Sequence, residues 1–157
     1  MTKQAAFDRV YDHFITQENP PSIDFTQKDE YDDILCKLKL TADLDSPRSA
    51  IGVFIENYED RFEQMTMHEL IEAKALPVLE DDKHSYITWT ELKVCHDVSA
   101  ETKFFKRNIE LSLMMFAQDH GLTFQTPTPE LQEILDMVVN MMKNPDSIAY
   151  EVIDNEQ

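Results

Sequence analysis

The stretch SAETKFFKRNIELSLMMFAQDHG, residues 99–121, decides the fold class. Phe104, Phe105, Ile109, Leu111, Met114, Met115 and Phe116 recur at helical intervals, so it reads as one helix from about Ser99 to Asp119. Ser99 suits the cap position, and Gly121, just after His120, can close the helix in a left-handed conformation. The apolar residues cover more of the circumference than a one-sided surface helix needs. Such a helix belongs at the centre of a bundle, with part of its face available as a groove for a partner.

Toward the C-terminus, residues 125–129 (QTPTP) form a connector, with Thr128 as cap and Pro129 at the first helical position. Leu131, Ile134, Leu135, Val138, Met141 and Met142 continue the helical pattern until Asn144-Pro145 breaks it. Ile148, Ala149, Val152 and Ile153 then suit a short last helix, and residues 154–157 a frayed tail.

Toward the N-terminus the pattern is harder to assign. In SYITWTELKVCH (85–96), Ile87 and Trp89 fit an alternating strand face, whereas Trp89, Leu92 and Cys95 fit a helical stripe. The preferred reading is a short extended piece at 85–89 followed by helix or loop. Residues 80–84 (EDDKH) form a turn. Thr66 and Glu69 have capping-box spacing for a short helix to about Ala75, which Pro77 stops.

Ser46-Pro47 is expected to start a helix carrying Ile51, Phe54, Ile55, Tyr58 and Phe62, in which Gly52 would permit close packing. Tyr31, Ile34, Leu35 and Leu38 suggest another helix within residues 25–40. From Thr2 to about Gln17, a stripe of Phe7, Val10, Tyr11, Phe14 and Ile15 gives a first helix, ended by Pro20-Pro21. The expected fold is mainly α: a compact acidic bundle of about five to seven helices in a single domain, 1–157. Residues 77–83 are the best place for a minor subdomain boundary.

The composition narrows the function. The chain carries 31 Asp+Glu against 14 Lys+Arg, a formal charge of -17. Acids exceed bases in each third, by 10 to 6 over residues 1–50, 11 to 4 over 51–100 and 10 to 4 over 101–157. A field of that sign repels phosphate backbones, so direct nucleic-acid binding is not expected; it attracts a protein partner with a basic surface. Hydrophobic residues make up 42%, enough for a sizeable core. With two glycines, no Gly-lined phosphate loop, no Ser-centred elbow and no run of about 18 apolar residues, no cofactor and no membrane span are expected. The opening MTKQAAFDRVYDHF lacks the apolar core of a secretory signal, which places the chain in the cytoplasm. Cys36 and Cys95 are isolated and read as buried thiols.

Candidate chemistry is sparse. His68 and Glu72 are four positions apart on one helix face, a spacing that can present imidazole and carboxylate to a metal. Zinc needs further ligands, so a small metal-dependent hydrolase would have to recruit them from elsewhere. His84, His96 and His120 stand beside Asp81, Asp82, Asp97 and Asp119 in sequence, where turn, cap and ion-pair roles are the simpler expectation. Cys95-His96 lacks any assigned oxyanion donor, and Cys95 fits the core.

The partner-binding candidates are three acidic clusters and two methionine groups. The clusters are Asp29, Glu30, Asp32 and Asp33; Glu56, Glu59, Asp60 and Glu63; and Glu80, Asp81 and Asp82. Met114 and Met115, with Met141 and Met142, would supply a pliable apolar centre inside an acidic rim. The expected function is non-enzymatic: holding or neutralising a basic protein partner, as an immunity or inhibitor protein or a secretion chaperone does. A nucleic-acid mimic would use the same charge to block a DNA- or RNA-binding protein. A structural helical subunit that self-assembles into a homo-oligomer would use the apolar faces alone.

Overall fold

The structure, a computed structural model, describes residues 1–28, 34–39, 46–124 and 127–144. The described chain is mainly helical, with five α-helices and one short hairpin. It divides into two compact units, Met1–Phe124 and Gln125–Gln157. The division falls at the Thr/Pro-rich connector, and residues 77–83 lie inside the first unit.

Helix α1 (Lys3–Tyr11) is capped by the Thr2 hydroxyl, which accepts from the Ala5 amide at 3.1 Å, and it widens into a π-helical turn over Asp12–Thr16. Its apolar stripe is buried as the spacing requires: Ala6, Phe7, Val10, Tyr11, Phe14 and Ile15 all enter the core. After Pro20-Pro21 the chain does not resume a helix. Ile23–Lys28 (β1) and Ile34–Cys36 (β2) form an antiparallel hairpin with Ile23 opposite Cys36 and Asp24 opposite Leu35. The helix expected within 25–40 is therefore corrected to a hairpin. Ile23, Phe25 and Thr26 are strand formers, and the two prolines deliver the chain already extended.

The helix expected from Ser46 to Phe62 is also absent. The chain instead makes 3-10 turns at Gly52–Phe54 and Asp60–Gln64. Ser49, Ala50, Ile51, Gly52, Val53, Phe54 and Ile55 are all buried in succession, so this segment passes through the interior rather than resting one face on it. Ile51, Phe54 and Ile55 of the expected stripe belong to this continuous run, while Tyr58 and Phe62 lie beyond it. Gly52 does permit close packing: a Cβ there would lie 1.8 Å from the Leu38 carbonyl oxygen.

Helix α2 (Met67–Glu72) starts at the predicted cap, Thr66, whose hydroxyl accepts from the Glu69 amide at 3.2 Å. Helix α3 runs from Ser85 to Ala100, so the extended piece expected at 85–89 is corrected to helix. Trp89, 0% exposed, decides it: the ring packs on Phe54 with centroids 4.7 Å apart, while the indole N–H donates to the Pro77 carbonyl at 3.0 Å. Leu92 and Cys95 follow on the same buried face.

Ser99 ends α3 rather than capping the next helix. Its hydroxyl donates back to the Cys95 carbonyl at 2.8 Å, and the Thr102 amide bonds to the Ser99 carbonyl at 3.1 Å. Helix α4 (Phe105–Asp119) begins only after that reversal and ends at Gly121, φ +64°. Phe7 of α1 stacks on Phe116 of α4, and the Tyr11 hydroxyl donates to the buried Glu110 carboxylate at 2.8 Å.

In the second unit, α5 (Pro129–Lys143) is capped as expected by Thr128, with Pro129 in its first turn. Met137, Val138, Val139 and Met142 on α5 are solvent-exposed. The expected last helix over 148–153 and the tail 154–157 lie outside the described residues.

Candidate functional site

Helices α3 and α4 are joined by four residues and run antiparallel. Cys95 lies beside Ser112, its thiol 3.7 Å from the Ser112 carbonyl, and Glu91 lies beside His120, 2.5 Å from carboxylate to imidazole. Their inner sides fill the core through Trp89, Leu92, Ile109 and Leu113. Their outer sides leave an open cleft of about 310 Å³ lined by Val94, Val98, Met115 and Phe116, with Cys95 also in its wall. Val98 is 60% exposed, Met115 55% and Val94 49%, so three large apolar side chains share one cleft without cover among the described residues of this unit. Glu91 and Asp119 stand at its polar edge.

Met115 lies in the cleft, while Met114 is half-buried beside it in α4 and is not part of the lining. Val94 and Val98 do not stand out in the sequence because an extended piece at 85–89 leaves the residues after it open between helix and loop. Once this whole stretch is helical, their one-turn spacing opposite Trp89, Leu92 and Cys95 marks a second apolar stripe. Met141 and Met142 belong to α5 in the other unit, Met141 half-buried and Met142 exposed.

The acidic clusters divide by use. Glu56, Glu59 and Asp60 are exposed, but Glu63 is engaged internally: it accepts from the Leu38 amide at 2.7 Å, the Lys39 amide at 3.2 Å and the Tyr58 hydroxyl at 2.5 Å. Glu80 accepts from the Met1 amine and Asp81 from the Lys3 amide, each at 2.9 Å. Asp82 accepts from the His84 amide at 2.9 Å and from the Thr88 hydroxyl, binding the entrance of α3. Burial alone would raise the Asp82 carboxyl, but these bonds outweigh it and hold it below the usual carboxylate range. Asp29, Glu30, Asp32 and Asp33 lie outside the described residues.

His68 and Glu72 both sit exposed on α2, and the His68 ring stacks on Tyr86 with centroids 4.0 Å apart. The metal-ligand grouping found among the described residues lies elsewhere, at Cys36, His96 and Asp97, whose donor atoms fall within 4.8 Å of one another. His96 is 0% exposed; its Nε2 accepts from the Ser22 amide at 3.0 Å, which puts the ring proton on Nδ1, 2.8 Å from Asp97. A cation at Nδ1 would move that proton to Nε2, against the Ser22 N–H. These residues therefore fit a hydrogen-bonded hub better than a metal cage.

The hub is held by charge. Burial would raise the Asp97 carboxyl, but the His96 N–H and the Lys93 ammonium outweigh it and keep it ionised below the usual range. Burial, with Asp97 nearby, pushes the Cys36 thiol up to about 12. Burial, with Glu91 nearby, pushes Cys95 to about 12 as well. Both thiols stay protonated at neutral pH, and His96 faces Ser22 and Asp97 rather than serving Cys95 as a base.

No protein-family model, no curated protein and no solved structure matches the chain. Among the described residues, no helix is long and apolar enough to cross a membrane.

Proposed function

We propose that this chain is a non-enzymatic acidic binding protein that holds or blocks a protein partner through the α3/α4 cleft. The observation that carries this reading is the juxtaposition of Val94, Val98 and Met115, all exposed, with Glu91 and Asp119 at the edge, in a chain of net charge -17. The occupant of matching chemistry is an amphipathic helix of the partner with an apolar stripe flanked by Lys and Arg. A helix laid along two antiparallel helices buries its anchors between them, as helix-in-groove recognition does. Methionine adapts to the incoming side chains, while the acidic edge and the field of the whole chain speed and orient the encounter.

A Leu/Lys amphipathic helical peptide, titrated by fluorescence anisotropy, tests the groove directly. Val98→Ser and Met115→Ser should each weaken binding by about three- to tenfold, on the scale of losing a buried apolar anchor. Glu69→Gln, on α2 away from the cleft, should change it far less. Equal losses from all three substitutions, or none, would sink the reading.

A further inference from the structure

A second cavity, of about 310 Å³, opens at the end of α1 and is lined by Arg9, Asp12, His13, Gln17, Arg48 and Val53. It gathers two arginines and a histidine in a chain where acids outnumber bases by more than two to one. Among the described residues neither guanidinium meets a carboxylate at ion-pair distance. Arg9 donates to the Val53 carbonyl at 3.2 Å and lies over the Phe54 ring at 5.0 Å, and Arg48 reaches the Gly52 and Ile55 carbonyls only at 3.5 Å.

His13 adds an unfilled donor. Its Nδ1 faces the Asn19 amide nitrogen at 3.2 Å, and that nitrogen also donates to the His13 carbonyl at 2.9 Å, which identifies it as the donor. Nδ1 is therefore the acceptor, and the neutral ring carries its proton on Nε2. This Nε2 is buried without a hydrogen-bond partner. A buried N–H without a partner is costly, and beside it stand two guanidiniums that meet no carboxylate at ion-pair distance among the described residues.

We propose that this pocket binds a tetrahedral oxyanion of the phosphate class, gripped by the Arg9 and Arg48 guanidiniums and the His13 imidazole. Guanidinium forks match phosphate oxygens in pairs, and a dianion gains more from two of them than a carboxylate does. Gln17 donates to the Asp12 carboxylate at 2.6 Å, which engages the one acid in the wall. This site is separate from the α3/α4 cleft and does not depend on the function assigned to it.

A bound dianion also changes the histidine. The charged groups acting on His13 are Arg48, His96 and Arg9, which disfavour its protonation, and Asp12, which favours it. An anion between the arginines and the ring reverses that balance, so binding takes up a proton and tightens as pH falls.

Calorimetric titration of the full chain with inorganic phosphate, at neutral pH and low ionic strength, is expected to show one saturable site. Arg9→Gln or Arg48→Gln should weaken it by about tenfold or more, in chains whose circular dichroism is unchanged. Arg61→Gln removes the same charge outside the pocket and should leave the affinity as it was. Sulfate, dianionic throughout, should bind more tightly from neutral to mildly acid pH in the wild type but not in His13→Gln. Tighter binding of glycerol phosphate than of inorganic phosphate would identify a phosphorylated small molecule as the ligand; equal binding would identify the free ion. No saturable binding, or equal loss in all three arginine variants, would overturn the proposal, and a flat sulfate profile would remove His13 from it.

Discussion

His13 shows how one partly buried side chain sets a dependence on pH. Burial first, and the Arg48 charge second, lower its pKa from 6.5 to about 4. Between those values the unfolded chain binds a proton that the folded chain refuses, so folding stability falls as pH drops from 6.5 toward 4. From pH 6.5 to 5 the loss assigned to His13 is about 1.5 kcal/mol, and chemical denaturation of the wild type beside His13→Gln should show a flatter slope in the variant. Asp97 acts in a lower window. Its depressed carboxyl contributes stability present above the ordinary carboxylate pKa and lost as pH falls through its folded value.

At the scale of elements, the entrance of α3 rests on Asp82, which accepts from the His84 amide and the Thr88 hydroxyl. Asp82→Ala should cost about 1–2 kcal/mol in thermal or urea unfolding, the range of a lost N-terminal cap. An unchanged midpoint would return Asp82 to the solvated surface. Local signals such as this explain which elements were legible. Thr66-Glu69, Thr128-Pro129 and Gly121 act over one turn, and each stands where the sequence placed it. Residues 49–55 defeated periodicity because burial on every side erases the polar face that marks a helix or strand. The 85–89 segment failed for another reason: Trp89 fits both periods, and only its contacts with Phe54 and Pro77, far away in sequence, select the helix. The cleft inherited that failure, with Met115 visible beforehand and Val94 and Val98 hidden until α3 was continuous.

Across the whole molecule, -17 acts on folding and on association with opposite signs. Like charges strain the compact state, and the Debye length shrinks to roughly 8 Å at physiological ionic strength, so added salt relieves that strain. The melting temperature should therefore rise from low to physiological NaCl while association with the basic helical peptide slows, as stopped-flow mixing would show. A melting temperature that falls with salt would mean that the Lys93–Asp97, Lys106–Glu18 and Arg61–Glu59 pairs outweigh the net repulsion. Composition foretold the field but not this basic recess. Arg9 and His13 stand one turn apart on α1 and its π-helical continuation, and Arg48 joins them from a distant stretch of chain, its guanidinium against the Gly52 carbonyl.

The turn at Gly52–Phe54 has a consequence for how the sequence can drift. At position 52 the obstacle is a backbone oxygen, which no rotamer change elsewhere can remove, and the clashing atom is the Cβ that every other encoded amino acid carries. Size and polarity are irrelevant there: serine is as unwelcome as tryptophan. The neighbouring core positions can exchange one aliphatic residue for another of similar volume, but this one admits no conservative replacement. The seam between the Leu38 backbone and the buried segment is thus specified by a missing carbon.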